Sequence, residues 1–381
     1  MSERTQRRGV LDGVRVADFS RVLAGPYATM TLADFGADVL KIEPPAGDDT
    51  RHWHPPVDAD GTATYFSSVN RNKRSVALDL AAETDRAEAV QLACTADVVV
   101  ENFRPGVMAR FGLDFEAVRA ANPGVVYCSI TGFGDGAGAS LAGYDLLVQA
   151  VGGLMSITGD PEGSAAKAGV ALVDVLCGQN AVAGILLALR ERERTGIGQR
   201  VEVNLMQSLL SALTNQAAST LATGTPPRRL GNAHPSIAPY ALFRAADREL
   251  VIAVGNDKQF RALAEALRQP WLAADPRFLH NTDRVAHRDA LTTLLEHELA
   301  EAEAAHWVEL FRTTGIPAGL VNDVAEAISF AEELGLEPVV ALGSSRTIAN
   351  PIRLDRDPAA YRAAPPALND SAPASWRTER T

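Results

Sequence analysis

Asp174 ends the apolar run Gly169-Val170-Ala171-Leu172-Val173 and is followed by Val175-Leu176-Cys177-Gly178, a small and apolar stretch that opens a helix-like segment. A carboxylate in such surroundings must be paired, hydrogen-bonded or protonated, because carrying its charge out of water is costly. Nucleophilic attack gives it a chemical reason to be there, since covalent acyl intermediates persist where water is kept away. Aspartate at the head of a helix also suits an N-cap, and the two roles are compatible. Any tetrahedral intermediate needs hydrogen-bond donors for its oxyanion, and small-residue loops present backbone N–H groups without obstruction. Gly152-Gly153 and Gly231-Asn232-Ala233-His234 are candidates of that kind, set against their plain use as turn formers.

Around these residues strand-like and helix-like segments alternate. Residues 14–19 alternate in polarity and end at a small-residue turn, 28–35 reads as a helix closed by Gly36, and 37–43 reads as a strand stopped by Pro44-Pro45. A short strand over 75–80, a helix over 82–95, a β-branched strand over 96–101, a helix over 114–121 and a strand over 125–130 continue the pattern. Such alternation implies an α/β fold with a Rossmann-like, mostly parallel sheet covered on both faces. Gly25-Pro26 opens a helix after the first strand, but without a GxGxxG or a P-loop lysine it is no dinucleotide site. Anions would still meet helix N-termini at the carboxyl ends of the strands.

Long helices are expected from 174 to 221, and the Pro/Gly/Thr stretch 223–229 marks a boundary. Beyond it, 240–243 and 250–254 form a hairpin around Asp247-Arg248, and helices follow to about residue 314. Gly315-Ile316-Pro317-Ala318-Gly319 marks the return. The expected division is a large domain of residues 1–222 and 319–381 and a small α+β domain of 223–318. Residues 363–381, rich in Pro and Ala, are expected to be disordered or wrapped on the surface.

The chain has 381 residues, 46% hydrophobic and 22% charged, which is enough apolar material for two domains. Its net charge of −11 excludes a broad nucleic-acid surface, so any anionic ligand must be met locally. Cys94, Cys128 and Cys177 have no CxxC spacing, and the seven histidines have no HExxH spacing, so neither a disulfide framework nor a metal is expected. The first residues lack a signal-peptide core and no apolar run reaches membrane length, which points to a cytoplasmic protein without membrane insertion.

The segment 143–199, with Gly143-Tyr144-Asp145, Gly152-Gly153, Asp174 and Arg194-Thr195-Gly196-Ile197-Gly198-Gln199, resembles the core of the family III CoA-transferases. Asp18-Phe19-Ser20-Arg21-Val22-Leu23-Ala24-Gly25-Pro26, Asp34-Phe35-Gly36-Ala37-Asp38-Val39-Leu40-Lys41-Ile42-Glu43, Asn72-Lys73-Arg74-Ser75 and Glu101-Asn102-Phe103-Arg104-Pro105-Gly106 are similar to that family in order and spacing, over residues 10 to 340. The resemblance implies an enzyme that moves CoA from an acyl-CoA donor to a carboxylic acid acceptor. Asp174 would attack the thioester, forming a mixed anhydride and then an aspartyl-CoA thioester. It further implies an intertwined homodimer, no permanently bound cofactor, and the CoA thioester as substrate.

For CoA the resemblance points to Val22, Leu23, Ala24, Leu78, Asp79, Asn102, Phe103, Arg104 and Arg110, and Lys73, Arg74, Arg104 and Arg110 could offset its phosphates. The family's usual arginine after Lys-Ile-Glu is replaced by Pro44, with Arg51 as a substitute. The member that transfers formate and oxalate carries a long glycine-rich loop after the stretch matching Gly231-Asn232-Ala233. Here His234-Pro235-Ser236-Ile237 stands instead, closer to the branch that uses succinyl-CoA or other dicarboxylic acyl groups. Two alternatives remain. The α-methylacyl-CoA racemases of the same superfamily need a base on each face of the carbon and place a histidine where Tyr144 stands, a residue suited instead to contacting substrate. A catalytically silent CoA-binding protein would be expected to lack Asp174.

Overall fold

The computed structural model describes residues 9–377. Residues 1–8, on which the expectation of no signal peptide falls, and residues 378–381 lie outside the described part. The chain forms two compact units. One gathers the chain up to Leu154, Ala168–Thr225 and everything from Leu336, and the other holds Met155–Lys167 and Pro226–Gly335.

The first unit is built on parallel strands β1 (Arg15–Asp18), β2 (Asp38–Glu43), β3 (Arg74–Ala77), β4 (Val98–Glu101), β5 (Val126–Thr131) and β6 (Arg200–Asn204), in the order β3-β2-β1-β4-β5-β6. Between them run α1 (Ala24–Asp34), the short α2 (Thr64–Ser67), α3 (Glu83–Thr95), α4 (Phe115–Ala121), α5 (Asp145–Val151) and α7 (Leu172–Thr195), with α6 (Leu154–Ile157) where the chain leaves the unit. Helices α8 (Leu205–Ala212) and α9 (Thr214–Thr223) follow β6. Side chains along a strand point alternately to its two faces. Val16, Val39, Val98, Val100 and Cys128 face a core shared with α1, α7 and α8, while Ala17, Leu40, Val99 and Tyr127 face one shared with α3 and α4. Burial on both faces is why these strands read as near-continuous apolar runs.

Helix α7 buries Val173, Cys177, Ala181, Ile185 and Ala188, a spacing of three to four residues, and ends at Gly196, whose φ of 75° suits a left-handed C-cap. It is long and apolar enough to cross a membrane, contrary to the sequence expectation, but its buried face packs in the sheet core. The long helices expected over 174–221 are interrupted by a strand. Arg200–Asn204 alternates in period two and joins the sheet beside β5.

The second unit carries the antiparallel sheet β7 (Tyr240–Arg244), β8 (Glu249–Ala253) and β9 (Ala318–Leu320), with α10 (Asp257–Ala266), α11 (Asn281–Ala286), α12 (Arg288–Leu299), α13 (Ala304–Thr314) and α14 (Val324–Glu333). Because β9 pairs with β8, the chain returns to the first unit only at Leu336 rather than at 319. It re-enters through the hairpin of β10 (Val339–Leu342) and β11 (Ser345–Ile348). The tail then lies along the β3 edge: Ser371 N–H donates to Ser75 O at 3.0 Å, and Asn369 and Asp370 accept from Ala77 and Ser75 N–H. The otherwise open edge is thereby covered.

Charge is buried beneath the strand ends. Lys73 Nζ lies 3.1 Å from Asp18 Oδ2 and donates to Pro26 O and Asn70 Oδ1, each at 2.9 Å. Asp34 accepts both Nε and Nη2 of Arg71 and the amides of Asn72 and Asn350. Burial would raise the Asp18 carboxyl, but Lys73 and Lys41 beside it hold it below its ordinary value. Burial in turn draws Lys73 down to about 8. Removing one member of a buried pair strands the other charge. Lys73→Met is therefore expected to cost about 3–5 kcal/mol in urea unfolding, and a loss below about 1 kcal/mol would mean that the pair contributes no more than a surface ion pair.

Candidate active site

In this strand order the sheet's crevice lies between the carboxyl ends of β1 and β4, where the chain connections diverge. The turn after β1 carries Val22, Leu23 and Ala24, and that after β4 carries Asn102, Phe103 and Arg104. Asn102 ties the two together: its Oδ1 accepts Arg21 N–H at 2.8 Å and its Nδ2 donates to Arg21 O at 2.7 Å. Val22 has φ 67°, a strained conformation for a β-branched residue. Its N–H donates to Asp48 Oδ2 at 3.2 Å, and Asp48 is itself ion-paired with buried Lys41 at 2.9 Å. Burial would raise the Asp48 carboxyl, but Lys41 and Thr50 hold it down, to about 2. A permanently charged acceptor thus keeps the strained turn in place.

A cavity of ≈ 360 Å³ occupies the crevice, and Asp174 reaches it from the first turn of α7. The packing of α7 on α1 is close: a Cβ on Gly178 would stand 2.7 Å from Ala24 O, so only glycine permits this approach. On the other side, Gly132 and Gly143 touch backbone to backbone and fold the loop after β5 so that it delivers Tyr144 and Asp145. The N-cap of α7 is Ala171, with no side-chain cap, and Asp174 is the third helical residue. The capping role considered for Asp174 belongs instead to Asp145, whose Oδ1 accepts Val173 N–H at 2.8 Å and Asp174 N–H at 3.3 Å. Burial, with the Asp145 carboxylate beside it, pushes the Asp174 carboxyl up to about 7.

The structure gathers Asp174, Tyr144, Val22, Leu23, Ala24, Asn102, Phe103 and Arg104 around the one cavity. Arg104 makes no ion pair with any described residue and is free to meet an anion there. The other candidates fall elsewhere. Leu78 is buried in the α3 core, Asp79 caps the turn before α3, and Arg110 is exposed in the turn Met108–Phe111. Lys73 is occupied by Asp18 and Arg74 by Asp38, so neither is a free phosphate ligand. Arg51 holds Glu43 and stacks 3.7 Å from the Phe66 ring centroid.

As oxyanion donors two glycines are corrected, because the Gly152 N–H donates to Val148 O and the Gly231 N–H to Gly159 O. Gly153 follows in a left-handed turn with φ 90°. Gly231 and Asn232 line a separate cavity of the second unit, and the His234 N–H donates to Tyr240 O. Sequence reasoning missed Asp48, Asp145 and Tyr65. Burial and the Asp174, Asp145 and Asp48 carboxylates push the Tyr65 phenol up to about 12, which marks it as a neighbour of the site. Among the described residues no histidine lines the cavity, and no group of three metal-ligating side chains is present.

Residues 11–371 match the model of CoA-transferase family III. The chain is 40% identical to succinate–glutarate CoA-transferase of Agrobacterium fabrum, covering 97% of this chain and 96% of that one. It is 41% identical to acetyl-CoA:oxalate CoA-transferase of Acetobacter aceti, over 91% of this chain and 90% of that one. The crystal structure of a CAIB/BAIF family protein from Brucella suis is similar with a TM-score of 0.87 and 41% identity, covering 96% of this chain and 97% of that one.

The raised Asp174 carboxyl carries a stability consequence. Its folded pKa lies above the unfolded one, so the group favours folding at low pH and that advantage disappears as pH rises through about 7. Asp174→Asn is therefore expected to be more stable than the parent at alkaline pH, by up to about 4 kcal/mol at roughly 1.36 kcal/mol per unit, and to match it near pH ~4. Urea midpoints across that range test this, and equal pH dependences would contradict it.

Proposed function

The chain belongs to CoA-transferase family III and is a CoA-transferase, and we propose that it moves CoA from succinyl-CoA or another dicarboxylic acyl donor to a carboxylic acid acceptor, with Asp174 as nucleophile. The observation that carries this reading is the Asp174 carboxyl, drawn up to about 7 at the rim of a cavity in the sheet crevice. Near neutrality a large fraction is ionised, and that fraction is more basic, hence more nucleophilic, than an ordinary carboxylate.

An Asp174 oxygen attacks the thioester carbonyl, the acyl C–S bond breaks, and CoA leaves as thiolate. The thiolate then attacks Asp174 Cγ, giving an aspartyl-CoA thioester and releasing the donor acid. The acceptor carboxylate runs the two steps in reverse and restores Asp174. Leu23, Phe103, Ile130, Phe133 and Leu205 give the cavity an apolar lining that limits hydrolysis of the intermediates. Asn102 keeps the two flanking turns at a fixed spacing, Arg104 meets a CoA phosphate, and Tyr144 contacts the acyl group.

In this reading the first unit is the CoA-binding domain and the protein is a cytoplasmic intertwined homodimer. Exposed Leu187 on α7 and Leu221 on α9 are apolar side chains that such an association would cover. The identity to the succinate–glutarate enzyme supports the dicarboxylic choice. The test uses succinyl-CoA with glutarate, followed by mass spectrometry of the thioesters. Asp174→Ala is expected to lose transfer by about 10³-fold or more while staying folded, the loss typical of removing a covalent nucleophile. Turnover within tenfold of the parent would refute the assignment.

A further inference from the structure

Asp145 takes no covalent part in this chemistry, yet it is the charged group set against the nucleophile. Its place is fixed from both sides. Oδ1 accepts the Val173 and Asp174 N–H groups at 2.8 and 3.3 Å, and Oδ2 accepts Gln149 Nε2 at 2.5 Å. Gln149 is wholly buried and its Oε1 takes the Ala168 N–H at 2.8 Å. The first-turn N–H groups of a helix ordinarily stabilise a carboxylate at the third helical position, where Asp174 sits. Here a second carboxylate occupies two of those donors and adds a like charge.

Among the described residues, Tyr65 of α2, Cys177 one turn along α7 and Asp145 of α5 act with or on Asp174, while Arg21, Asp49, Arg104 and Tyr144 line the same cavity. Burial pushes the Tyr65 phenol and the Cys177 thiol up to about 12, so both are neutral near pH ~7. The charge facing Asp174 comes from Asp145.

We propose that Asp145 is a positioning residue that raises the free energy of ionised Asp174, so that covalent attachment of the acyl group or of CoA, which removes that charge, is favoured. This rests on the reading of Asp174 as nucleophile. When the Asp174 oxygen bonds to the acyl carbon and the C–S bond breaks, the negative charge passes to the thiolate. When sulfur then bonds to Asp174 Cγ and the bond from Cγ to the bridging oxygen breaks, the charge passes to the departing acid. In both adducts Asp174 is neutral beside Asp145, and the like-charge repulsion is gone.

The test compares the full-length parent with Asp145→Asn, which keeps an Oδ1 acceptor for the α7 N–H groups but no charge, and with Asp145→Ala, which removes both. Succinyl-CoA and glutarate serve as substrates. The readouts are the acid limb of kcat/KM against pH and the fraction of protein carrying a CoA adduct on Asp174 after incubation with succinyl-CoA alone. Asp145→Asn is expected to move the limb down by about one unit or more and to lower the ratio of adducted to free Asp174 about tenfold. Asp145→Ala is expected to move the limb at least as far, because it also frees the helix N–H groups to stabilise ionised Asp174. An unmoved limb with unchanged adduct in both variants would overturn the proposal and leave the nucleophile standing. An adduct mapped to another residue in the unsubstituted parent would overturn the nucleophile, and this inference with it.

Discussion

Two carboxylates, Asp145 and Asp174, meet at the N-terminal turn of one core helix, and the surroundings make that pairing tolerable. Asp145 takes hydrogen bonds from the helix backbone and from buried Gln149. Asp174 is left with burial and a like charge, the combination that raises a carboxyl pKa. Perturbed carboxyls of this kind cluster where chemistry is done. The geometry depends on closeness: Gly178 lets α7 lie against Ala24, and the Gly132–Gly143 contact brings the Asp145 turn across.

The same economy of polar groups governs the crevice walls. Lys41, Asp48, Lys73 and Asp18 sit under the ends of β1 to β3 as a buried, fully partnered cluster. Their role is to fix the Val22 turn rather than to meet solvent. On an acidic protein this leaves few uncommitted cations at the site, and Arg104 is one of them. In the proposed reading, ligand charge is met by Arg104 and by oriented backbone, instead of by a broad basic surface.

Much of this was legible in the sequence because it is local. β1, β2, β4 and β5 announced themselves by apolar runs between turn residues, and Asp174 by a charge in an apolar run. β6 was hidden because its five residues lie between α7 and α8, whose helical pattern dominates any longer window. Lys73 and Arg74 read in the sequence only as cations that could offset CoA phosphates, because their partners are far away along the chain. Only the long-range contacts with Asp18 and Asp38 place them in the fold. Asp145 was invisible as a partner for the same reason: it caps a helix that begins 27 residues later. The edge covering by residues 363–377 could be guessed only as far as a wrapped tail, since proline-rich chain carries no pairing signal of its own.

If Asp174 is the covalent carrier, its own oxygen is exchanged with the substrate acid at every turnover. An acceptor carboxylate bearing a heavy oxygen isotope should attack the aspartyl-CoA thioester, expel CoA thiolate and share that oxygen in the anhydride, and the oxygen should stay on Asp174 when the thiolate attacks the acceptor's acyl carbon and breaks its bond to the bridging oxygen. Peptide mass spectrometry should then find one heavy oxygen in the peptide containing Asp174 after a single turnover, rising toward two as turnovers accumulate, and none in the peptide containing Asp145. Product formed without isotope entering Asp174, or isotope entering a different carboxylate, would contradict the assignment.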